Sequence, residues 1–495
     1  MKTLGAGLAA AAVPTLLHNR SAAAMETPPS WRRPNIVLVM PDDQGYGELA
    51  CHGNKIINTP TLDKLHARSL RMTDFHVSPT CAPTRCSIMT GRHEFRSGVT
   101  HTILERERMS LDAVTLPAVL KTAGYTTGIF GKWHLGDEAP YQPNKRGFDE
   151  VFIHGAGGIG QSYRCSCGDA PGNKYFDPAI RHNGRFVRTK GYCTDVFFTQ
   201  ALRWIKRVKD ADKPFFTYIT PNAPHGPLQC PEKYYKPYMD AGLDEASARF
   251  YGMITNIDDN MAVLMAKLQK WNLLDNTLVI FITDNGSARA GGNRGKVKLF
   301  NAGMKGKKGT PYEGGTRVPG FFYWKGRTPV GIDCGALTAH VDLFPTFAEL
   351  AGAALPSKVK FDGRSLVPLL KNPKADWPDR YVFTHVGRWR KGKAAEAKYS
   401  KCSIRNERFH LVNNKELYDI DADPGEKTNV IDKHPKVVAA MRKAYDQWWS
   451  EVVPAMCNED VPMAKENPFK VLYKAQETSD KGIPAWPVHP TKEEL

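Results

Sequence analysis

Side chains that could perform chemistry are grouped at a few short points of this 495-residue chain. The adjacent carboxylates Asp42 and Asp43 follow one apolar run, and Asp284-Asn285 follow another. Either group alone is typical of a simple turn, but together they offer oxygen ligands that suit a hard cation such as Ca²⁺ better than zinc. Cationic and imidazole groups that could bind an anion or move protons are Arg85, Lys132, His134, His225 and Lys308.

The segment from Cys81 to Arg92 (CAPTRCSIMTGR) is the most informative of these points. Pro83 suits the first position of a helix, because proline has no N–H to leave unsatisfied. Cys81 is then expected just ahead of the helix N-terminus, where free N–H groups favour an anion or a thiolate. Arg85 lies one turn along and can reach back toward Cys81. The same local pattern is also typical of a buried cysteine beside a helix cap.

Short apolar runs alternate with helical stretches, which predicts an α/β fold with a large, mostly parallel sheet covered by helices on both faces. The predicted strands are 36–40, 126–130, 215–220 and 277–283. The predicted helices are 62–72, 195–208 and 245–270. Most of the polar groups above follow the carboxyl end of a predicted strand, the edge at which open α/β sheets bind ligands. Lys132 and His134 alternate in an extended segment, so both can face one site.

The character of the chain changes near residue 365. The first part, 34–365, carries the α/β pattern and the polar groups. Strand-like pieces and a helix near 435–450 then predict a smaller α+β domain with an antiparallel sheet over 366–464. The remainder, 465–495, is rich in Lys, Pro and Glu, and we expect an extended arm.

Residues 1–24 have the pattern of an export signal. Lys2 gives a basic start, 4–17 are apolar, and Ser21–Ala24 are small. The apolar stretch is shorter than the roughly 20 residues that span a bilayer. We therefore expect an exported protein, periplasmic or secreted, without a membrane span. Ten cysteines are too few for a disulfide scaffold, and their pairing stays open.

Cys81-x-Pro-x-Arg85, followed by Met-Thr-Gly-Arg, resembles the signature of the type I sulfatases, within the alkaline phosphatase superfamily. Other segments match that family in the expected order: PNIVLVMPDD (34–43), GKWHLG (131–136), NAPH (222–225), TDNG (283–286), KGTPYEGGTRVP (308–319) and ELYDIDADPGE (416–426). The resemblance covers residues 34 to about 450 and implies an alkaline-phosphatase-like fold, with 34–365 as the catalytic domain.

The resemblance implies an unusual nucleophile and one metal ion. In that family a formylglycine-generating or anaerobic maturation enzyme oxidises the cysteine to Cα-formylglycine, and the hydrated aldehyde attacks sulfur. The implied ligands of one Ca²⁺ are Asp42, Asp43, Asp284, Asn285 and the formylglycine at position 81.

The remaining roles follow from the same resemblance. It assigns Lys132 to the sulfate, His134 to the formylglycine hydroxyl, and Arg85 to the diol and its oxyanion. It assigns His225 to protonation of the leaving alcohol and Lys308 to the sulfate and its leaving oxygen. Lys305 and Lys307 are close enough in sequence to leave the choice of lysine open. Gln161 lies where some relatives place a sulfate-contacting Ser or Thr, and is a candidate binding residue.

Composition narrows the class of substrate. With 41% hydrophobic and 24% charged residues the chain is globular, and its net charge of +17 favours anionic partners. Basic runs within 285–312 and 388–401 suit a polyanionic glycan, although they are also typical of a solvated basic surface. No recognition helix or zinc finger predicts binding to nucleic acid.

We therefore predict an exported, calcium-dependent sulfatase that acts on sulfated carbohydrate, with small aryl sulfates as side substrates. The alternatives are a phosphate or phosphonate ester hydrolase of the same superfamily, or a non-catalytic relative that binds polyanions. The all-oxygen ligand set argues against a two-zinc phosphatase, which would carry further metal-binding His and Asp residues. The sugar, the sulfate position, endo or exo action and the oligomeric state stay open.

Overall fold

The structure is a computed structural model that describes residues 31, 33–211, 213–291, 293–294 and 297–487. The predicted export signal, 1–24, lies outside the described residues, as does the end of the chain from residue 488. Among the described residues, no helix combines the length and the apolar character needed to cross a membrane. The ten cysteines lie in the described part and are all free thiols.

The strands are short and are numbered in chain order. They are β1 (Asn35–Val39), β2 (Leu70–Met72), β3 (Phe75–His76), β4 (Thr126–Lys132), β5 (Glu150–His154), β6 (Ala179–His182), β7 (Arg185–Arg188), β8 (Phe215–Thr220), β9 (Thr277–Ile282), β10 (Asn293–Arg294), β11 (Val297–Lys298), β12 (Gly320–Tyr323), β13 (Ile332–Cys334), β14 (Thr338–Ala339), β15 (Val382–His385), β16 (Cys402–Arg405), β17 (Phe409–Val412) and β18 (Glu416–Asp419).

The α-helices are numbered in the same way. They are α1 (Pro60–Arg68), α2 (Cys81–Thr90), α3 (Leu116–Thr122), α4 (Cys193–Val208), α5 (Glu232–Asp240), α6 (Glu245–Lys270), α7 (Glu313–Thr316), α8 (Leu343–Ala351), α9 (Val367–Lys371), α10 (Pro435–Val452) and α11 (Pro468–Glu477).

A ten-stranded sheet forms the centre, in the order β13-β2-β12-β9-β1-β8-β4-β5-β6-β7. Its middle strands, β9, β1, β8, β4 and β5, are parallel to one another. The flanking strands β12, β6 and β7 are antiparallel to their neighbours. The prediction of a mostly parallel sheet is confirmed for the middle, and the sheet as a whole is mixed.

Helices cover both faces of this sheet, as predicted. Ile36 and Leu38 of β1 point into one core, which α3, α8 and α9 close, whereas Val37 and Val39 point into the other, closed by α1, α4 and α6. All four side chains are fully buried, and each contributes about 1.5–3 kcal/mol to folding. This two-faced core explains why the central strands are apolar throughout rather than alternating.

The stretch 62–72, predicted as one helix, is divided between two elements. Helix α1 begins with Pro60 at its first position and ends at Arg68, because Ser69 adopts an extended conformation. Strand β2 follows directly and pairs with β12 and β13. Sheet pairing outweighs the helical spacing of the apolar residues here.

A separate antiparallel sheet of four strands, in the order β15-β16-β17-β18, lies toward the C-terminus. Helix α10 packs on it and forms an aromatic core that includes Tyr445, Trp448 and Trp449. Phe95 belongs to the same core, so the smaller sheet is anchored to the first part of the chain. The predicted antiparallel sheet is confirmed.

The segment predicted as an extended arm, 465–495, contains helix α11, so that prediction is wrong for this stretch. Asn467 caps the helix by accepting a hydrogen bond from the backbone N–H of Lys470, and proline occupies the first turn. Phe469 and Tyr473, four residues apart, are buried against Phe186 of β7. The cap at Asn467 and the buried apolar face of α11 favour a helix, although the polar composition of the segment predicts an extended arm.

Candidate active site

The predicted site residues meet at one edge of the large sheet. Strands β9, β1, β8 and β4 are neighbours and parallel, so their carboxyl ends lie side by side. The residues at or after these ends are, in sheet order, Asp284 and Asn285, Asp42 and Asp43, His225, and Lys132 with His134. The prediction that this edge gathers the polar groups is confirmed by the sheet order.

Asp42, Asp43, Asp284 and Asn285 form a buried cluster of oxygen atoms. The backbone N–H of Asp43 donates to Asp284 Oδ1 at 3.1 Å, and Asn285 Nδ2 donates to Asp43 Oδ1 at 3.1 Å. Asp42 Oδ1 and Asn285 Oδ1 are buried, and neither accepts a hydrogen bond within the described chain. Unpartnered buried oxygens are costly unless a cation binds them, so this donor set fits one hard divalent ion.

The pKa values of the three carboxylates also favour a bound cation in this cluster. Burial raises the pKa of Asp42 to about 6, although Lys132 opposes the shift. Burial and the neighbouring Asp42 raise the pKa of Asp284 to about 7. Burial would also raise the pKa of Asp43, but Lys308, His225 and Lys132 together hold it below its usual value. A bound cation would keep all three carboxylates ionised near neutral pH.

Cys81 opens helix α2, which corrects the predicted helix start at Pro83. Thr80 is extended and precedes the helix, so Cys81 is its first residue and Pro83 its third. The Cys81 sulfur lies within 4.8 Å of one carboxylate oxygen each of Asp42 and Asp284. Burial would raise the pKa of this thiol, but Lys132 and Lys308 lower it overall. The side chain at position 81 therefore sits in an electropositive pocket beside the oxygen cluster.

Three cations, the buried Lys132 and Arg85 and the half-buried Lys308, each oppose one of the three carboxylates. Lys132 Nζ lies 2.6 Å from Asp42 Oδ2, and Arg85 Nη2 lies 2.7 Å from Asp284 Oδ2. Lys308 Nζ lies 2.5 Å from Asp43 Oδ1. Arg85 also donates to the Lys132 carbonyl oxygen at 3.0 Å, so the two cations are held together.

Of the three neighbouring lysines, the structure brings Lys308 to the cluster. Lys305 turns away and donates to Tyr418 Oη at 2.7 Å, with Glu416 at 3.2 Å. Lys307 is exposed to solvent. The sequence motif alone left this choice open, because Lys307 and Lys308 are adjacent and only Gly306 separates them from Lys305.

His134 is oriented by a backbone group that sequence reasoning missed. Its Nε2 lies 2.8 Å from the Thr102 carbonyl oxygen, which accepts a hydrogen bond and leaves Nδ1 with the lone pair. Nδ1 lies 3.4 Å from the Cys81 sulfur. Burial lowers the pKa of His134 well below its usual value, so the ring is neutral. A carbonyl contact of this kind has no signal in the sequence.

Lys132 and His134 do face one site, but not by simple alternation. Lys132 is the last residue of β4, whereas His134 lies beyond the strand with a left-handed φ of 61°. The end of β4 directs Lys132 toward the site, and the turn after the strand directs His134 toward it.

His225 borders the oxygen cluster at Asp43. Its Nδ1 is 2.8 Å from the Gly226 carbonyl oxygen, so Nε2 is the free nitrogen, at 3.9 Å from Asp43 Oδ2. Burial lowers the pKa of His225 although Asp43 opposes the shift. Its free nitrogen is available for proton transfer at this face of the site.

A glycine-rich loop packs against both histidines. A Cβ atom on Gly157 would lie 2.7 Å from His134 Cε1 and 3.2 Å from Gln161 Oε1, and one on Gly158 would lie 2.6 Å from His225 Nδ1. Gln161 therefore reaches the same region, consistent with its choice as a candidate. Glycine is required here because the backbone approaches both rings closely.

Comparison with known proteins decides the family. Residues 34–353 match the sulfatase family model, and residues 306–449 match the model described as N-sulphoglucosamine sulphohydrolase, C-terminal. The chain belongs to the sulfatase family. By this membership the protein is a sulfuric ester hydrolase.

Named relatives support this sulfatase assignment. The chain is 31% identical to arylsulfatase A of Homo sapiens over 462 residues, which cover 83% of this chain and 87% of that protein. It is 32% identical to N-acetylgalactosamine-6-sulfatase of Canis lupus familiaris over 406 residues, covering 77% and 74%.

Solved structures share the fold of this sulfatase. The crystal structure of Ps i-CgsB in complex with k-i-k-neocarrahexaose has a TM-score of 0.74 and 28% identity, and the match covers 91% of this chain and 98% of that one. The phosphonate monoester hydrolase of Agrobacterium radiobacter has a TM-score of 0.57 at 18% identity, with 85% and 96% covered. The similarity to the phosphonate monoester hydrolase supports a shared fold only.

Proposed function

We propose that this sulfatase is an exported enzyme that hydrolyses sulfate esters of carbohydrate, using Cα-formylglycine made from Cys81 and one calcium ion. The observation that carries the proposal is the position of Cys81 at the start of α2, within 4.8 Å of two cluster carboxylates and flanked by cations. The unpartnered oxygens of Asp42 and Asn285 support the calcium ion. When present, the two groups supply an oxygen nucleophile and a cation that polarises the sulfate.

The chain's own residues bind and orient the ester. Lys132 and Lys308 hold carboxylates at 2.6 and 2.5 Å, and their ammonium groups border the space next to position 81. Positioned there, they neutralise negative charge on the sulfate oxygens as the S–O bond breaks. Arg85 fixes Asp284 and the Lys132 carbonyl, so it keeps this arrangement rigid.

The two histidines divide the proton transfers. His134, neutral and with Nδ1 directed at position 81, takes the proton from the hydroxyl there. His225 acts in its protonated form: Nε2, which carries the lone pair in the neutral ring, first takes up a proton from solvent and then gives it to the leaving alcohol. The division follows from their contacts, because Nδ1 of His134 faces position 81 whereas Nε2 of His225 faces Asp43.

A carbohydrate substrate is supported by the rim of the site and by relatives. Arg388 is exposed, forms no ion pair with the described part of the chain, and donates from Nη2 to Thr102 Oγ1 at 2.8 Å. The carbonyl of Thr102 binds His134, so this arginine stands next to the catalytic groups. Tyr163, 40% exposed, follows Gln161 and offers a ring on which a sugar can stack. Two similar proteins also support a carbohydrate substrate. One is named N-acetylgalactosamine-6-sulfatase, and the other was crystallised with k-i-k-neocarrahexaose.

The first test is the mass of the tryptic peptide that contains position 81, from protein produced with a maturation enzyme. We expect the aldehyde, trapped by a hydrazine reagent, together with calcium-dependent release of sulfate from an aryl sulfate. Faster turnover of the matching aryl phosphate would overturn the proposal in favour of a phosphoester hydrolase. Verified aldehyde with no sulfate release from any ester would instead favour a non-catalytic relative.

A further inference from the structure

Three side chains of types that can bind a metal ion, Cys51, His52 and His66, lie together outside the set of active-site residues described above. Cys51 and His52 belong to a short 3₁₀ helix, and His66 lies in the last turn of α1. The Cys51 sulfur and one ring nitrogen from each histidine all lie within 4.8 Å of one another. The three side chains are half-buried and line a cavity of about 510 Å³.

His52 is oriented as a metal ligand would be. Its Nδ1 lies 2.7 Å from the Tyr46 carbonyl oxygen, which accepts a hydrogen bond and leaves the lone pair on Nε2. The Tyr46 ring stacks on the His52 ring with centroids 3.8 Å apart. Metal-binding histidines usually donate their second ring N–H to such an oxygen, which fixes the tautomer and the ring direction.

The surroundings leave room for a further ligand. Arg71 and Asp333 also line the cavity, and Arg71 Nε lies 2.5 Å from Asp333 Oδ1, so the arginine charge is compensated. The backbone N–H of Cys51 donates to Asp63 Oδ1 at 2.9 Å, which holds the 3₁₀ helix against α1. Because Cys51, His52 and His66 line the cavity, water from the cavity can reach an ion that they bind.

We propose that Cys51, His52 and His66 form a second metal site, for Zn²⁺ or a similar transition-metal ion, with a fourth position open to the cavity. Sulfur and imidazole donors suit such an ion, whereas the all-oxygen cluster suits calcium. In a tetrahedral zinc site the ligand atoms lie roughly 3.3–3.6 Å apart. Starting from separations within 4.8 Å, shifts of about 1 Å bring the three side chains to that geometry.

The site has a structural consequence for the chain around it. A bound ion joins the 3₁₀ helix to the end of α1. Because His52 also bonds and stacks with Tyr46, the ion stiffens the segment that follows Asp42 and Asp43.

The test is a titration of the full-length protein with Co²⁺ in the presence of excess Ca²⁺, which occupies the oxygen cluster. We expect one equivalent to produce a thiolate-to-cobalt charge-transfer band and tetrahedral d–d bands, both removed by one equivalent of Zn²⁺. Cys51→Ser should abolish the charge-transfer band. His66→Gln should weaken binding by more than the roughly 10–100-fold that losing an outer partner costs. Cys457→Ser, which changes an exposed thiol, serves as the matched control.

Absence of a thiolate band, or a band that persists in Cys51→Ser or disappears in Cys457→Ser, would overturn the proposal. Circular dichroism of each variant checks that it folds. As a second readout, Zn²⁺ should raise the Tm of the wild-type protein and of Cys457→Ser but not that of His66→Gln. Equal Tm shifts in all of them would also contradict the site. None of these readouts requires formylglycine or sulfatase activity.

Discussion

Charge in the active site is balanced residue by residue. Lys132, Lys308 and Arg85 oppose Asp42, Asp43 and Asp284, so three cations match three carboxylates. Both histidines are neutral because burial lowers their pKa values. With the proposed divalent cation the site would carry two positive charges, which would match one sulfate ester and the proposed ionised oxygen at position 81. The arrangement is therefore suited to a singly charged ester.

Cys81→Ala tests the proposed nucleophile. We expect turnover of an aryl sulfate to fall by on the order of 10⁴–10⁶, as for removal of other covalent nucleophiles. Cys86→Ala is the matched control, because Cys86 is a fully buried cysteine of the same helix and has no assigned role in the site. Steady-state rates and Tm of both variants are measured. Activity in Cys81→Ala equal to that of Cys86→Ala would contradict the assignment.

Lys308→Ala and Lys307→Ala separate two adjacent lysines. Loss of Lys308 removes the ammonium group beside Asp43, and we expect kcat/KM to fall by about 10²–10³. Lys307 is exposed, so its variant should stay within about twofold of the wild type. A comparable loss in both variants would mean that general positive charge, and not the position of Lys308, matters.

At the scale of elements, helix α2 places position 81 at its positive end. Because the helix starts at Cys81 itself, that side chain lies at the end of the helix where the N–H groups of the first turn are free. They add about half a unit of positive charge to the field of the lysines. The start of the helix thus contributes to anion binding as directly as the basic side chains do.

The glycine-rich loop before Gln161 has no room for a Cβ atom at Gly157 or Gly158. In Gly157→Ala the new methyl group would lie 2.7 Å from His134 Cε1, and the ring must move. We expect kcat to fall by about 10–100-fold, because displacement of a catalytic group by about 1 Å has that effect. Gly335→Ala, at an exposed glycine with open space around it, is the control. Unchanged kcat in Gly157→Ala would show that His134 needs no fixed position.

At the scale of the whole molecule, buried charges join the small sheet to the catalytic part. Arg405 of β16 lies 3.3 Å from both Glu313 Oε1 and Asp74 Oδ2. Burial would raise the pKa of Asp74, but Arg405 and His76 hold it below its usual value. This ion pair therefore stabilises the fold above the ordinary carboxylate pKa of about 4, and the stabilisation is lost as the pH falls through the lowered pKa.

Arg405→Met tests this connection through the pH dependence of stability. Two buried carboxylates lose one of their cationic partners, while His76 and Arg317 remain near them, and we expect a cost of up to about 3–5 kcal/mol near neutral pH. Burial then raises their pKa values, so the variant gains stability as they take up protons at lower pH. We expect the Tm difference from the wild type to shrink between about pH 7 and pH 4. Arg408→Met, at an exposed arginine in the turn before β17, is the control. A pH-independent difference would contradict the model of a charged interface.

The chemistry of the site could be predicted from short stretches of sequence. Apolar runs define the central strands, and the groups after them reach one edge because parallel strands end together. Residue type then limits function: oxygen ligands suit calcium, and Cys81 with Arg85 in the signature segment indicates the family. These features depend on neighbours along the chain, and they are therefore readable without a structure.

Contacts between distant segments were decided by the tertiary structure alone. The choice of Lys308 over Lys305 depends on Glu416 and Tyr418 in the other sheet. The tautomer of His134 depends on a carbonyl oxygen 32 residues away in sequence. Packing brings such groups together over long chain separations, and no local spacing encodes which partner each one finds. The residue types were therefore predictable, but their partners and protonation states were not.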